Sequence, residues 1–293
     1  MDHNSSTEKI QIRKFDLNKI ASDAIIMIIG KRRSGKSHLS RDIIHTLSLR
    51  NMPYGKVYSG TEHCSPFFKK FFPQMFIEQT FTDQDIANIL QMQHRKVKKV
   101  AKRLHVDDGK CAENNMLLVL DDMMSEDDIW KKSKHFKKLF TEGRHYNILF
   151  LMTLQYVLGI PPTLRDNIDY VFLFNCEGNA LKKMYENYGS SIPTLKMFKT
   201  ILAQCTKEYS CLVIDKTCTS NRLEDKIFFY KAKDPGKFKF GSNAFWNLHD
   251  ENYYSSEDEE MARESAAQQK LKNICEMYGE DGKNGKKYVI SIG

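Results

Sequence analysis

The stretch Ala24-Ile-Ile-Met-Ile-Ile29, followed by Gly30-Lys31-Arg32-Arg33-Ser34-Gly35-Lys36-Ser37, decides the fold. An isoleucine-rich run without a polar break reads as a central parallel strand buried on both faces. After the loop, Leu39, Ile43, Ile44 and Leu47 recur at helical spacing, so strand, glycine-bearing loop and amphipathic helix follow one another. That order suits a β-phosphate, because the backbone can wrap the anion and aim successive N–H groups and the helix's positive end at it. Gly30 and Gly35 permit the turn, Lys36 carries a point charge to the β- and γ-phosphates, and the Ser37 hydroxyl is placed for Mg²⁺. A chance glycine–lysine turn would lack this framing strand and helix.

Working outward, Met116-Leu-Leu-Val-Leu120 is a second apolar strand, and it ends in Asp121-Asp122. A helix is expected over Asp83–Met92, with Ile86, Ile89 and Leu90 on one face, followed by a basic run and a polar loop at Asp107-Asp108-Gly109. Ile129, Phe136 and Phe140 mark another helix, and Asn147 to Thr153 a third buried strand ending near Gln155. Tyr170-Val-Phe-Leu-Phe174 reads as a fourth strand, then a helix with Leu181, Met184, Tyr185 and Tyr188 aligned and Gly189 as its stop. Cys211–Asp215 and Ile227–Tyr230 read as late strands, a hairpin closing the sheet edge. Alternating strands and helices predict an α/β fold with a mainly parallel central sheet flanked by helices. Residues 1–249 are expected to form this domain and 250–293 an acidic, then glycine- and lysine-rich, flexible tail.

Two adjacent carboxylates at a strand end suit metal-assisted phosphate chemistry. Asp121 is the candidate Mg²⁺ ligand and Asp122 the candidate for polarising the attacking water; loop or helix-capping aspartates are the plainer reading of such a pair. Each carboxylate raises the other's pKa, the metal's charge opposes this, and both are expected to be ionised in the loaded state. Gln155 follows the third strand, where an uncharged amide can sense the γ-phosphate or orient water. Arg144 and Arg165 are candidates to stabilise transition-state charge on a neighbouring subunit's nucleotide, and surface salt bridges account for them nearly as well.

The net charge of +8 is unevenly spread. Arg95 to Arg103 is densely basic, Lys131 to Lys138 adds lysines, and Asp250 to Glu264 is acidic. A basic body with an acidic tail suits a nucleic-acid partner, although a solvated helix face explains such runs equally well. The N-terminus lacks the basic-then-apolar order of a signal peptide, and no apolar run is long enough to span a bilayer. The seven cysteines include no C-x-x-C pair, which suits a reducing compartment. His63, Cys64 and the trio Cys205, Cys211 and Cys218 lack the close spacing that structural zinc sites favour.

Taken in order, Gly-Lys-Arg-Arg-Ser-Gly-Lys-Ser, Leu-Val-Leu-Asp-Asp, Glu-Gly-Arg-His-Tyr-Asn-Ile, Thr-Leu-Gln and Pro-Pro-x-Leu-Arg-x-Asn-x-Asp-Tyr-Val-Phe resemble the virion DNA-packaging ATPases of large nucleocytoplasmic DNA viruses. These belong to the FtsK/HerA branch of RecA-like P-loop motors, and the resemblance runs from about Ile25 to Ile214. It implies a ring, a hexamer by family habit, that uses ATP and Mg²⁺ to drive double-stranded DNA into a preformed capsid. Gln155 would be the polar sensor and Arg144 the inter-subunit arginine. A capsid or internal-membrane component of the virion would be its docking partner, and the host cytoplasm, at the viral factory, its location, with the virion as a second. The broader class commonly has Glu after the metal-binding Asp, whereas here Asp122 is one methylene shorter. For the DNA grip, Lys98, Lys99, Lys102 and Arg103 lead, because they precede a polar loop that can project toward a pore.

Two other classes compete. A nucleotide or nucleoside kinase shares the P-loop but usually has more glycine in it, and an arginine-bearing lid. A non-enzymatic nucleic-acid scaffold explains the basic segments and leaves the P-loop and Asp121-Asp122 without purpose. A GTPase would need an Asn/Thr-Lys-x-Asp motif, which the sequence lacks.

Overall fold

A computed structural model describes residues 10–50, 52–105, 112–123, 133–156 and 160–253. Among these a nine-stranded sheet runs in the order β1-β9-β8-β7-β2-β6-β5-β3-β4. The strands are β1 (Arg13–Lys14), β2 (Ile25–Ile29), β3 (Tyr54–Ser59), β4 (Ile77–Glu78), β5 (Met116–Asp121), β6 (Ile148–Leu154), β7 (Tyr170–Leu173), β8 (Ser210–Asp215) and β9 (Ile227–Lys231). The helices, in chain order, are α1 (Lys36–Ser48), α2 (Asp83–Leu104), α3 (Lys134–Glu142), α4 (Pro162–Arg165), α5 (Gly178–Tyr188), α6 (Leu195–Cys205) and α7 (Asn243–Asn252). Residues up to His249 belong to one compact unit. The tail proposed from residue 250 lies, beyond Tyr253, outside the described residues.

The central strand behaves as its composition requires. Every residue of β2 is buried, and it pairs in parallel with β6 on one side and β7 on the other. Alternation then divides its side chains between two cores. Ile25, Met27 and Ile29 pack with Ile86 and Leu90 of α2, Phe136 and Leu139 of α3, Met184 of α5 and Phe198 of α6. Ile26 and Ile28 pack with Leu39, Ile43 and Ile44 of α1 and with Phe68, Phe72 and Phe240. Sheet and helix layers are therefore joined across both faces, the usual consequence of parallel strands.

Several expectations need correction. The basic run is not a separate segment after Met92, for α2 continues through it to Leu104. Its start is fixed by a capping box in which Thr82 and Asp85 bond reciprocally. The late hairpin is real, with β8 antiparallel to β7 and β9 antiparallel to β8. It does not close the sheet, because β1 adds in parallel outside β9. Gly189 ends α5 at a φ of −89° rather than in the left-handed region. A Cβ there would lie 2.6 Å from the Tyr185 ring and 2.9 Å from its carbonyl oxygen, so the requirement is steric. Ile129, the loop at 107–109, and Lys131 lie outside the described residues. Among the described residues no helix is long and apolar enough to cross a membrane, and no cluster of three or more His, Cys, Asp or Glu side chains could hold a metal.

Candidate active site

The site lies at the carboxyl edge of the parallel strands, where β2 ends and its chain turns into α1. Gly30 N donates to Leu154 O at 3.0 Å, and Phe174 N donates to Ile29 O at 2.9 Å, so both neighbouring strands hold the start of the loop. A Cβ on Gly30 would fall 2.6 Å from Ser34 Oγ and 2.7 Å from Phe174 Cβ. Gly35 has a φ of 107° and caps α1, a backbone that side chains rarely adopt. The first glycine is thus needed for space and the second for conformation. Lys31, Arg32 and Arg33 are exposed along the loop.

Lys36 opens α1 and folds back over the loop, with Nζ donating to Gly30 O at 2.7 Å and Lys31 O at 3.0 Å. Burial lowers its pKa, and the negative charges of Asp122 and Asp121 oppose that shift. Those electrostatic contacts tie the two sequence motifs, far apart in the chain, to one site. The ammonium is therefore partly desolvated, and its charge acts more strongly on nearby phosphate than a surface lysine's would.

Asp121 is the last residue of β5, and strand register sets its partners. Ser59 of β3 and Thr153 of β6 lie directly across from it. Ser59 Oγ donates to Asp121 Oδ2 at 3.1 Å, and Thr153 Oγ1 donates to Asp121 Oδ1 at 2.6 Å. Burial is the main cause of a raised Asp121 pKa, with Asp122 adding to it and the two hydroxyls and Lys36 opposing it. Of the effect expected from their adjacency, the rise that Asp122 adds at Asp121 is present, as a smaller cause than burial. Asp122 N donates to Thr153 O at 3.3 Å and to Thr153 Oγ1 at 3.1 Å. Its φ of 54° is left-handed, where Asp is tolerated better than most side chains. A shorter residue in place of the class's Glu fits this backbone.

Gln155 Nε2 donates to Asp122 Oδ2. The other oxygen, Asp122 Oδ1, is buried without a hydrogen-bond partner among the described residues, as is Ser34 Oγ of the loop. Hard oxygen donors facing a phosphate site suit Mg²⁺, and Ser37 with Asp121 are the residues that would hold it.

The structure brings together Gly30 to Ser37, Asp121, Asp122 and Gln155. It does not bring Arg144 or Arg165 to them. Arg144 lies in the 3₁₀ turn Gly143–Tyr146 before β6, and Arg165 ends α4 before β7, which puts both at the amino edge of the sheet. There Asp169 Oδ2 accepts from Ile25 N at 2.8 Å, and the charge of Arg144 acts on Asp169. With strands rising about 3.3 Å per residue, that edge is about 15–20 Å from the loop. Lys98, Lys99, Lys102 and Arg103 are exposed on the last turns of α2, whose chain leads into β5, and Arg103 Nη2 pairs with Glu113 Oε2 at 2.6 Å.

Sequence reasoning missed Ser59, Thr153 and Phe174, and with them a cleft of 670 Å³ between the P-loop side of α1 and the segments around Tyr209 and Lys233. Thr153 had a signal in the quoted Thr-Leu-Gln, as the one hydroxyl in an apolar strand. Ser59 had none, because its strand was not read as one.

Comparison with known proteins places this geometry among relatives. The family described as Poxvirus A32 protein matches residues 12–235. An uncharacterized protein of Acanthamoeba polyphaga mimivirus is 35% identical over 250 residues, covering 85% of this chain and 86% of that one. An uncharacterized protein of Invertebrate iridescent virus 3 is 36% identical over 221 residues, covering 74% and 80%. Among solved structures, the genome packaging NTPase B204 from Sulfolobus turreted icosahedral virus 2 in complex with AMPPCP superposes with a TM-score of 0.50 at 16% identity, covering 73% of this chain and all of that one. The DNA-packaging ATPase B204 from Sulfolobus turreted icosahedral virus gives 0.50 at 18% identity, covering 72% and 98%. At such identities the structural likeness establishes a shared RecA-like P-loop fold.

Proposed function

The chain belongs to the Poxvirus A32 protein family, and from that membership we propose that it is an ATP-hydrolysing motor that moves double-stranded DNA into a viral capsid. The observation that carries this reading is the convergence of Lys36, Asp121, Asp122 and Gln155 at the carboxyl edge of one parallel sheet. In it, Lys36 and the N–H groups opening α1 bind the β- and γ-phosphates. Ser37 and Asp121 would hold Mg²⁺, which would supply charge neutralisation on the phosphate oxygens. Asp122 takes up the proton of the attacking water, and Gln155, bonded to Asp122, fixes that carboxylate's direction. A genome packaging NTPase of the same fold, solved with AMPPCP, supports the assignment.

Translocation must be indifferent to sequence, so the grip acts on phosphates, which duplex DNA presents at about one per 1.7 Å. Lys98, Lys99 and Lys102 are exposed on α2, ahead of Lys138, which is engaged with Glu142 at 3.4 Å. Turnover measured with and without duplex DNA tests the function, and stimulation is the expected result. Changing Lys98, Lys99, Lys102 and Arg103 to alanine should spare basal ATPase, weaken DNA binding for all sequences alike and lower the log–log salt slope by about 0.9 per lost contact. No stimulation in the wild type would return the kinase and scaffold readings, and an unchanged slope would remove α2 as the grip.

Arg144 and Arg165 cannot reach this chain's own P-loop, so any catalytic role is across a subunit boundary. The motor is then a homo-oligomeric ring, with a hexamer as the form we favour, docked on a capsid or internal-membrane component in the host cytoplasm. Arg144→Ala and Lys36→Ala subunits, each inactive alone, should regain part of the turnover when mixed. Verified mixed rings that stay inactive would take the role from Arg144 and leave Arg165 to be tested the same way.

A further inference from the structure

We propose that the cleft beside the P-loop seats the purine base of the nucleotide and that the Tyr209 ring is the platform on which it stacks. This rests on the P-loop being a triphosphate site, as proposed above. A triphosphate held at the start of α1 must carry its ribose and base into adjoining space, and the 670 Å³ cleft adjoins it, being lined by Arg33 and Gly35 to His38 on one side and by Glu208, Tyr209 and Lys231 to Asp234 on the other. That volume lies within the usual range of small-molecule sites.

Tyr209 is an unusual residue to find there. Its side chain is 72% exposed, yet its Cβ would sit only 3.7 Å from a Cβ on Gly35, beside the P-loop. Glu208 and Tyr209 have consecutive left-handed φ values of 49° and 63° without a glycine between them. Backbone held in such a conformation gathers at ligand sites, where the surroundings must enforce it. Here Ser210 N donates to Lys207 O at 2.9 Å across the turn, and Lys231 Nζ pairs with Glu208 Oε2 at 2.9 Å.

The segment around Lys233, on the same side of the cleft as Tyr209, is tied to α1 and so to the phosphate site itself. Asp42, buried on α1, accepts from Tyr230 OH at 2.8 Å and from Lys233 N at 2.7 Å, both at Oδ2. Arg41, its neighbour on α1, pairs with Asp234 at 3.1 Å. The helix that begins at the P-loop therefore sets the distance from the phosphates to the far wall of the cleft. A ring face stacks on the π-surface of any base. With ATP as the nucleotide proposed above, the ligand class is a purine nucleoside triphosphate.

The test compares Mg²⁺–ATP with inorganic tripolyphosphate, which has the phosphates and no base, by calorimetry on the full chain. Tyr209→Ala should weaken ATP binding about tenfold while tripolyphosphate binding stays within about twofold, and Tyr209→Phe, which keeps the face, should match wild type for both. Unchanged ATP affinity in Tyr209→Ala overturns the proposal. Equal loss of ATP and tripolyphosphate also overturns it, since the residue would then be shaping the P-loop rather than holding the base. A wild-type chain that binds neither compound refutes the triphosphate site and this inference together, an outcome distinct from the other two.

Discussion

Lys36→Ala is expected to fold and to lose ATP turnover on the order of a thousandfold, the scale set by removing one preorganised charge from a desolvated site. Lys36 is the P-loop cation whose ammonium is drawn inward onto Gly30 O and Lys31 O, whereas Lys31, Arg32 and Arg33 are exposed. The fold should survive for a reason visible in the same geometry. Burial lowers the Lys36 pKa, so its charged form is disfavoured in the folded state. That cost is complete below the lowered folded-state pKa, fades as pH rises from there to the ordinary lysine value and is gone above it, so at neutral pH alanine removes a burden as well as two hydrogen bonds. Asp121 and Asp122 lose a neighbouring positive charge, which offsets part of the gain. Melting temperature and ATPase rate on one preparation decide the matter. Turnover near wild type in a variant that melts normally would end the assignment of the P-loop as the catalytic phosphate site.

How much of this was legible depended on whether a residue's role shows in its own neighbours along the chain. β2 and β5 were readable because burial on both faces demands unbroken apolar runs, and each ends in its own chemistry, the P-loop or Asp121-Asp122. β3 was not readable. Tyr54-Gly-Lys-Val-Tyr-Ser lies along one margin of the sheet, is only partly buried at Tyr54 and Lys56, and so carries polar residues that break the pattern. Losing β3 meant losing Ser59, whose bond to Asp121 exists only through strand register. α6 is hard to read for a related reason: Phe198, Ile201 and Leu202 pack under the sheet, and no chemistry-bearing motif marks them in the sequence. The cleft beside the P-loop was invisible in kind. It joins α1 to residues some 170 to 200 positions later, and Tyr209 follows α6 without any motif around it. The arginines show the opposite failure: the motif flagged them, and only the parallel sheet reveals that Arg144 and Arg165 face the edge away from the nucleotide.

The two carboxylates should separate when each is made an amide. Asp121 has a raised pKa, chiefly from burial. A raised folded-state pKa contributes stability that is complete below the unfolded carboxylate value and is lost as pH rises through the folded one, so at neutral pH burial of the Asp121 carboxyl weighs against the fold, whether it keeps its proton or ionises. Asn at this position removes the buried carboxyl. Its carbonyl can accept from Thr153 Oγ1, and its amide can donate to Ser59 Oγ once that hydroxyl turns. Asp121→Asn should therefore melt at or above the wild-type temperature, with less dependence on pH between acid and neutral conditions. The same change removes the proposed Mg²⁺ ligand, so Mg²⁺–ATP should no longer raise its melting temperature as ligand binding does in the wild type, and turnover should be lost. Asp122→Asn differs at each point. Asn tolerates the left-handed φ of 54°, and the turn is held through Asp122 N and Thr153 rather than through the side chain. Nucleotide should still stabilise this variant while hydrolysis slows about a hundred- to ten-thousandfold, the span of general-base catalysis. Thermal melts with and without Mg²⁺–ATP, read beside turnover, distinguish the roles. Normal hydrolysis by Asp122→Asn would assign the base elsewhere, and an Asp121→Asn chain that is stabilised by Mg²⁺–ATP like wild type would take the metal away from Asp121.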